Sequence, residues 1–298
     1  MSAALWRNVS VVSELFGLGL LLHKSASDAQ APLLMATFQT LKDIVPQLHE
    51  FQQMWLCLVG RLVNISDRFP VASEITRDDV AFQLIMIVLN VVRLMVACES
   101  SNVFARLVAS PTITTRFRDF HTELTYLEQA LSPDSFDALR ERWESQCEKD
   151  EIELLQLLRE RIGNADGYLD WSSGPEGDQL ESACLLQYKV STQGESCSPD
   201  LKALLDLSLS KFYDADGKLP PVPEWFIPPH EMDVSELEAN STERATFRSK
   251  WTNSVVMISL YRLPRERFME ALETCSQLSH PNVVKVFGAS HIHTPFRV

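Results

Sequence analysis

The 298-residue chain lacks the short signatures that mark most enzymes and metal proteins. It has no Gly-x-Ser-x-Gly and no His-Glu-x-x-His, so neither a nucleophile elbow nor a zinc-protease helix is present. Its six cysteines (Cys57, Cys98, Cys147, Cys184, Cys197 and Cys275) form no CxxC and no Cys/His spacing that would place four ligands around zinc. Cys57, Cys98 and Cys147 fall inside apolar helical patterns, where a reduced thiol acts as a small hydrophobe. The expectation is a reducing, cytoplasmic setting. His291 and His293 have no carboxylate or thiol at ligand spacing, so no metal site is expected. Basic residues are also scarce: 27 Lys and Arg face 40 Asp and Glu, for a net charge of −13. That balance argues against a nucleic-acid binder, which needs a basic face to neutralise phosphates, and against simple attachment to anionic lipid.

Long apolar runs are interrupted where it matters. Val11–Leu22 has the look of a secretory leader, but Glu14 sits inside it and only Arg7 supplies positive charge ahead of it. Val80–Cys98 is long enough to suggest a membrane span. However, Gln83, Asn90 and Arg93 lie along one narrow stripe at helical spacing, which predicts a central bundle helix with a single wet edge.

What remains is a chain that is 45% hydrophobic and 22% charged, ordinary for a protein with a real core and long enough for about two domains. Residues 1–163 read as helix after helix. Phe38, Leu41, Val45, Leu48, Trp55, Leu58, Leu62 and Ile65 share one helical face, with Pro46 expected to kink or divide the run. Phe82, Ile85, Leu89, Val92 and Val96 repeat the pattern, as do Phe117, Phe120, Leu124, Leu127 and Leu131. After a break at Ser132-Pro133-Asp134-Ser135, a helix carries Phe136, Leu139, Trp143, Cys147, Leu154, Leu155, Leu158 and Ile162, its Glu144–Asp150 section reading as solvated face. Short connections between such helices imply an antiparallel bundle. Residues 164–224 turn acidic, with Asp166, Asp170, Glu176, Asp178, Glu181, Glu195 and Asp200 against a lone Lys189 before residue 201. They read as a linker with a short ordered piece at Leu180–Val190, a short helix near 201–212, and an extended Pro220–Pro223.

Residues 225–298 change period. A strand is expected at Val255–Tyr261, an amphipathic helix at about Arg265–Leu278, a Ser279-His280-Pro281-Asn282 turn, and a second strand at Val283–Phe287.

This last segment resembles the tyrosine-kinase-like group of protein kinases. The resemblance rests on W-F-I-P-P-H-E-M-D-V (Trp225–Val234), the Lys250-Trp251 pair, and L-S-H-P-N-V-V-K-V-F-G-A-S-H followed by T-P-F. It implies a kinase small lobe, yet the parts that hold ATP are missing. The Gly-rich loop that cradles phosphates would fall at about Glu238–Ser249, where no glycine stands. The strand lysine that neutralises the phosphates is replaced by Ser259, and the helix glutamate that braces it by Ala271, nine residues before His280. Arg262 and Arg265 would need a register shift to substitute, and Glu270 and Glu273 point about 100° or 200° away from the required direction. No His-Arg-Asp or Asp-Phe-Gly follows.

Residues 1–163 are similar to the helical-bundle adaptor of mixed-lineage kinase domain-like proteins, with Leu107–Leu127 carrying most of the likeness. That similarity implies a module that docks partners or self-associates.

The expected architecture is α+β: an antiparallel helical bundle at 1–163, an acidic Pro-containing linker at 164–224, and a partial small lobe at 225–298 made of a twisted antiparallel sheet with one helix. The expected function is that of a catalytically inactive, pseudokinase-like signalling protein acting through protein partners. It would use no cofactor, no nucleic acid and no membrane. Two other readings stay open. One is a Ser/Thr kinase using ATP and Mg²⁺ whose product continues past Val298; the other is a membrane-acting helical executioner. A small lobe without its large lobe predicts exposed apolar surface around Val283–Val298.

Overall fold

The architecture comes from a computed structural model. It describes residues 50–68, 74–100, 102–131, 137–164, 176–194, 196–216, 221–240, 244–251, 254–261, 265–280, 282–283, 285–290 and 296–297, with single positions at 219 and between 39 and 45. The helices are α1 (Gln52–Arg68), α2 (Glu74–Ser100), α3 (Val103–Leu131), α4 (Asp137–Gly163), α5 (Glu176–Gln193) and α6 (Pro199–Asp216). There follow strands β1 (Met232–Asn240), β2 (Arg244–Trp251) and β3 (Ser254–Tyr261), helix α7 (Arg265–Ser276) and the short strand β4 (Phe296–Arg297). Helices followed by an antiparallel sheet make the class α+β. The chain forms two compact units: one from Met1–Asn102 and Ile113–Leu158, the other from Val103–Thr112 and Arg159–Val298.

In the first unit, α1, α3 and α4 pack against one another. Trp55 and Phe117 meet edge to face at 4.5 Å, and Arg61 reaches Glu128 further along both helices. Since both sets of partners advance together, α1 and α3 run in the same sense. Arg118 bonds Glu151 and His121 stacks on Trp143, so α4 runs opposite to α3, as an up-and-down bundle requires. Leu41, Val45, Trp55, Leu58, Leu62 and Ile65 are buried, as their spacing predicts, while Phe38 and Leu48 lie outside the described residues. The break in this run is visible at Phe51, whose φ of 55° is left-handed and marks the entry to α1. Pro46 lies outside the described residues.

The stripe on α2 is rotated from the expected one. Leu84, Ile87, Val88, Val91, Met95 and Cys98 are buried, whereas Ile85 and Leu89 are half-buried and Phe82 and Val96 lie outside the described side chains. The expected Val92 is buried, and the polar edge at Gln83 is exposed and continues through Met86 and Ala97. In a helix apolar nearly all round, the few polar residues choose the face, because every other position is equally content inside. No helix among the described residues is long and apolar enough to cross a membrane.

Pro111 lies well inside α3, where its missing amide leaves the Leu107 carbonyl without its helical donor. The Ser110 hydroxyl donates to that carbonyl at 2.8 Å, which is why the helix continues.

Residues 164–224, expected as a linker with an ordered piece at Leu180–Val190 and a short helix near 201–212, hold two 18-residue helices, α5 and α6, that contain those pieces and extend beyond them. Helix α6 opens with Ser198, whose hydroxyl accepts the Leu201 N–H at 3.3 Å, followed by Pro199 at the first helical position and Asp200 in the first turn. Helix α5 buries Ala183, Cys184, Leu185 and Leu186 in succession. The sequence of α5 opens Glu-Gly-Asp, and acids are common at helix starts because the helix dipole favours negative charge there. Part of the acidity that reads as a linker is therefore helix-start chemistry. Phe104 meets Phe212 edge to face at 5.1 Å, and Lys211 Nζ donates to the Ile162 carbonyl, fixing α6 within the second unit.

The sheet order is β1-β2-β3-β4, every pair antiparallel. No strand forms at Val283–Phe287 among the described residues. His280 instead holds a turn, its Nδ1 accepting the Asn282 N–H and its carbonyl accepting that of Val283. Further on, Ala289 forms an isolated parallel bridge with Phe226.

Candidate functional site

The region singled out by the sequence is the β1–β3 sheet with α7. In the β2–β3 register, Thr246 stands opposite Ser259, and both are buried. Directly opposed residues on antiparallel strands share a face, so this part of the sheet presents two small hydroxyls. The Glu238–Ser249 stretch is the end of β1 and most of β2, with the connection at 241–243 outside the described residues. Ala271 sits on the exposed side of α7, flanked by exposed Glu270 and Glu273, while Phe268 and Leu272 are buried one turn apart. No hydrogen bond or ion pair among the described residues joins Ser259 to Ala271. The side chains of Arg262 and Arg265 and the His291–His293 pair lie outside the description.

The segment that leads into the sheet is clamped. Ile227 N–H donates to the Ala289 carbonyl at 2.9 Å, Ala289 N–H donates to that of Trp225 at 2.8 Å, and the buried Ser290 hydroxyl donates to that of Ile227 at 2.7 Å. Gly288 makes this approach possible: a Cβ there would collide with the Trp225 carbonyl and meet the Ile227 side chain at 2.8 Å. The residues that carry the family resemblance at 225–227 and 288–290 are thus one structural clasp.

Beside it lies a polar cluster that the sequence does not reveal. Lys189 on α5 is 3% exposed and donates to Gln193 Oε1 at 2.7 Å. Burial lowers the pKa of this amine, against smaller upward effects of Cys197 and Glu231. Burial, then the Lys189 charge, brings the His230 pKa down to about 4, so its ring is neutral. The Tyr188 phenol is pushed up by burial first and by the Glu231 carboxylate second, and Trp251 Nε1 donates to Glu231 Oε2 at 3.4 Å. These contacts tie α5, the 229–231 turn and β2 together.

The first unit holds the most elaborate polar site. Arg61, 8% exposed, donates from Nε to Glu128 Oε1 at 3.2 Å and from Nη2 to Oε2 at 2.6 Å. Its Nη1 donates to His121 Nδ1 at 2.9 Å and to the His121 carbonyl at 3.0 Å, and Nη2 also reaches Thr125 Oγ1 at 2.9 Å. An acceptor Nδ1 requires a neutral ring carrying its proton on Nε2, and burial followed by the Arg61 charge lowers the His121 pKa to about 3. His121 stacks on Trp143 at 4.8 Å. The guanidinium is fully used, so the site is a brace across helices.

Asp150, expected on a solvated face, is instead 3% exposed. Gln146 Nε2 donates to it at 2.8 Å, and the Met54 backbone N–H at the start of α1 also bonds it. Helix α1 has no acidic residue in its own first turn. A carboxylate from α4 caps it instead. Burial raises the pKa of Asp150 despite these donors.

None of the six cysteines is in a disulfide; burial pushes Cys147 and Cys184 up to about 11. No group of three metal-ligating side chains occurs among the described residues. No family model, curated protein or solved structure matches the chain.

Proposed function

We propose that the chain is a catalytically inactive, kinase-derived interaction protein, in which a helical bundle and a small-lobe-like sheet act through contacts with other proteins. What supports the reading is the order of three antiparallel strands, one helix and a His-Pro-Asn turn, combined with the loss of each group that would hold a triphosphate. The observation that carries it is Ser259, a buried hydroxyl on β3 facing Thr246 where the resemblance puts a lysine. A phosphate clamp needs backbone amides brought close by glycine and a cation held in place by a carboxylate. Glu238–Ser249 contains no glycine, and Ala271 offers no carboxylate. The remaining surface is suited to binding rather than chemistry: Val255, Met257, Leu278, Val283 and Phe287 are all exposed.

The test is thermal unfolding of the chain with and without Mg·ATP. A ligand bound to the native state alone raises Tm with its concentration. No shift is expected at millimolar nucleotide, and a saturable rise would overturn the reading.

A further inference from the structure

The two edges of the sheet are built differently. Strand β1 has Asp233, Glu236 and Glu238 in its sequence and two register irregularities against β2. Charge and bulges are the usual means by which an edge strand avoids pairing with another chain. Strand β3, Ser-Val-Val-Met-Ile-Ser-Leu-Tyr, has no charge, no proline and no glycine, and its register with β2 is unbroken. Among the described residues its outer edge is covered at Leu260 and Tyr261, by β4. Along residues 254–259 no backbone partner other than β2 occurs among the described residues. Beside this open edge Val255 is 67% exposed and Met257 51% exposed, two residues apart and so on one face. An unguarded, apolar, half-covered edge of this kind is a template for an added strand.

Charge selects the occupant. From Arg244 to Val298 the chain carries eight Lys and Arg against three Glu, within a protein of net charge −13. Exposed Arg248 stands opposite Met257 across the ladder. At the Ser254 end of β3, Trp251 lies 5.9 Å from the ring of Phe287, over which Lys285 Nζ sits at 5.4 Å. Two copies joined through β3 would bring these basic regions together, whereas an acidic strand would be drawn to them.

We propose that the open edge of β3 at residues 254–259 binds an extended acidic peptide segment of another protein by strand addition, with apolar residues of that segment covering Val255 and Met257. The proposal rests on the reading of the chain as an interaction protein. Nucleotide binding does not enter it, so failure here leaves the Mg·ATP test standing, and failure there leaves this one.

The test uses the full chain and a fluorescein-labelled, end-blocked peptide Asp-Val-Glu-Val-Asp-Val. Its controls are a Lys-Val-Lys-Val-Lys-Val peptide and an acidic peptide N-methylated at alternate amides. The expected result is saturable anisotropy with the acidic peptide, about tenfold weaker binding for Met257→Glu, and loss with the lysine and N-methylated peptides. Amide NMR shifts should centre on residues 254–259, and Arg118→Glu in the helical unit should bind like the parent. Four outcomes overturn the proposal: no saturable binding of the acidic peptide; equal binding of the lysine peptide; a concentration-dependent dimer that Met257→Glu makes monomeric; or Met257-dependent binding to phosphatidylserine vesicles without peptide binding.

Discussion

The helical unit and the sheet of the second unit handle buried polarity in opposite ways. The helical unit buries a full positive charge, Arg61, and surrounds it with Glu128, His121 and Thr125 so that its donors are satisfied. The sheet of the second unit buries small hydroxyls, Thr246, Ser249 and Ser259, and leaves its apolar Val255 and Met257 outside, while the charges that unit buries, Lys189 and Glu181, lie on α5. A buried charge is tolerable only when paired and fully hydrogen-bonded, and the helical unit meets that condition through side chains 60 or more residues apart. A site that receives a charged ligand must keep a charge incompletely satisfied until the ligand arrives. Arg61 and Ser259 do not meet that condition. The first spends Arg61 on architecture, and in the second a buried hydroxyl, Ser259, stands where the proposed resemblance calls for a cation.

The comparison can be broken most forcefully at Arg61. Arg61→Met leaves Glu128 buried without its partner and is expected to cost about 3–5 kcal/mol in denaturant unfolding. Adding Glu128→Leu should recover most of that loss. A double variant no better than the single would show that the brace does more than neutralise itself.

Acidification comes next. The His121 ring is neutral in the fold, with a pKa lowered to about 3 from an ordinary 6.5. Below about pH 6.5 the unfolded chain takes up a proton that the native state refuses, so stability falls by up to about 1.4 kcal/mol per pH unit from this group, until the folded pKa is reached. His230 acts in the same direction down to about 4. Asp150, raised by burial, works oppositely, favouring the fold at low pH. Tm measured from pH 7 to 4 should therefore decline, and His121→Gln should flatten the decline. An unchanged slope in that variant would contradict the assignment.

In the sheet unit the most sensitive point is the clasp. Gly288→Ala forces a Cβ against the Trp225 carbonyl and should cost about 1–3 kcal/mol, read by hydrogen exchange as lost protection at Ile227 and Ala289. The smallest effect is at the cap of α1. Asp150→Ala should cost about 1 kcal/mol, and Asp150→Asn, which keeps an acceptor for the Met54 amide, less.

These positions also show how far the sequence could be read. Amphipathic stripes located the helices and most of their buried faces, since Trp55, Leu58, Leu62, Phe117 and Leu124 must leave water whatever the partner. Strand β3 and α7 fall within a few residues of their expected bounds. The face of α2 was hidden because apolar residues surround it, and only Gln83, Asn90 and Arg93 marked its wet edge. Only the middle of α5 and of α6, at Leu180–Val190 and near 201–212, was legible; their full length was hidden by acids that start helices as readily as they fill linkers. Asp150, Arg61 and Lys189 were invisible for a different reason. Each is held by groups brought to it by folding, and no local pattern in sequence records that Asp150 will meet the first turn of α1. Ser259 and Ala271 could be singled out only because a resemblance says what should stand there; the structure adds that one is buried and the other exposed.

The most direct trial of the central claim is an NMR titration of the isotope-labelled chain with Mg·ATP, following the amides of Thr246, Ser259 and their neighbours on β2 and β3. The account predicts that these resonances stay in place up to about 5 mM nucleotide, because an unliganded native state gains nothing from a ligand it does not bind. A saturable shift centred on Ser259 would contradict it.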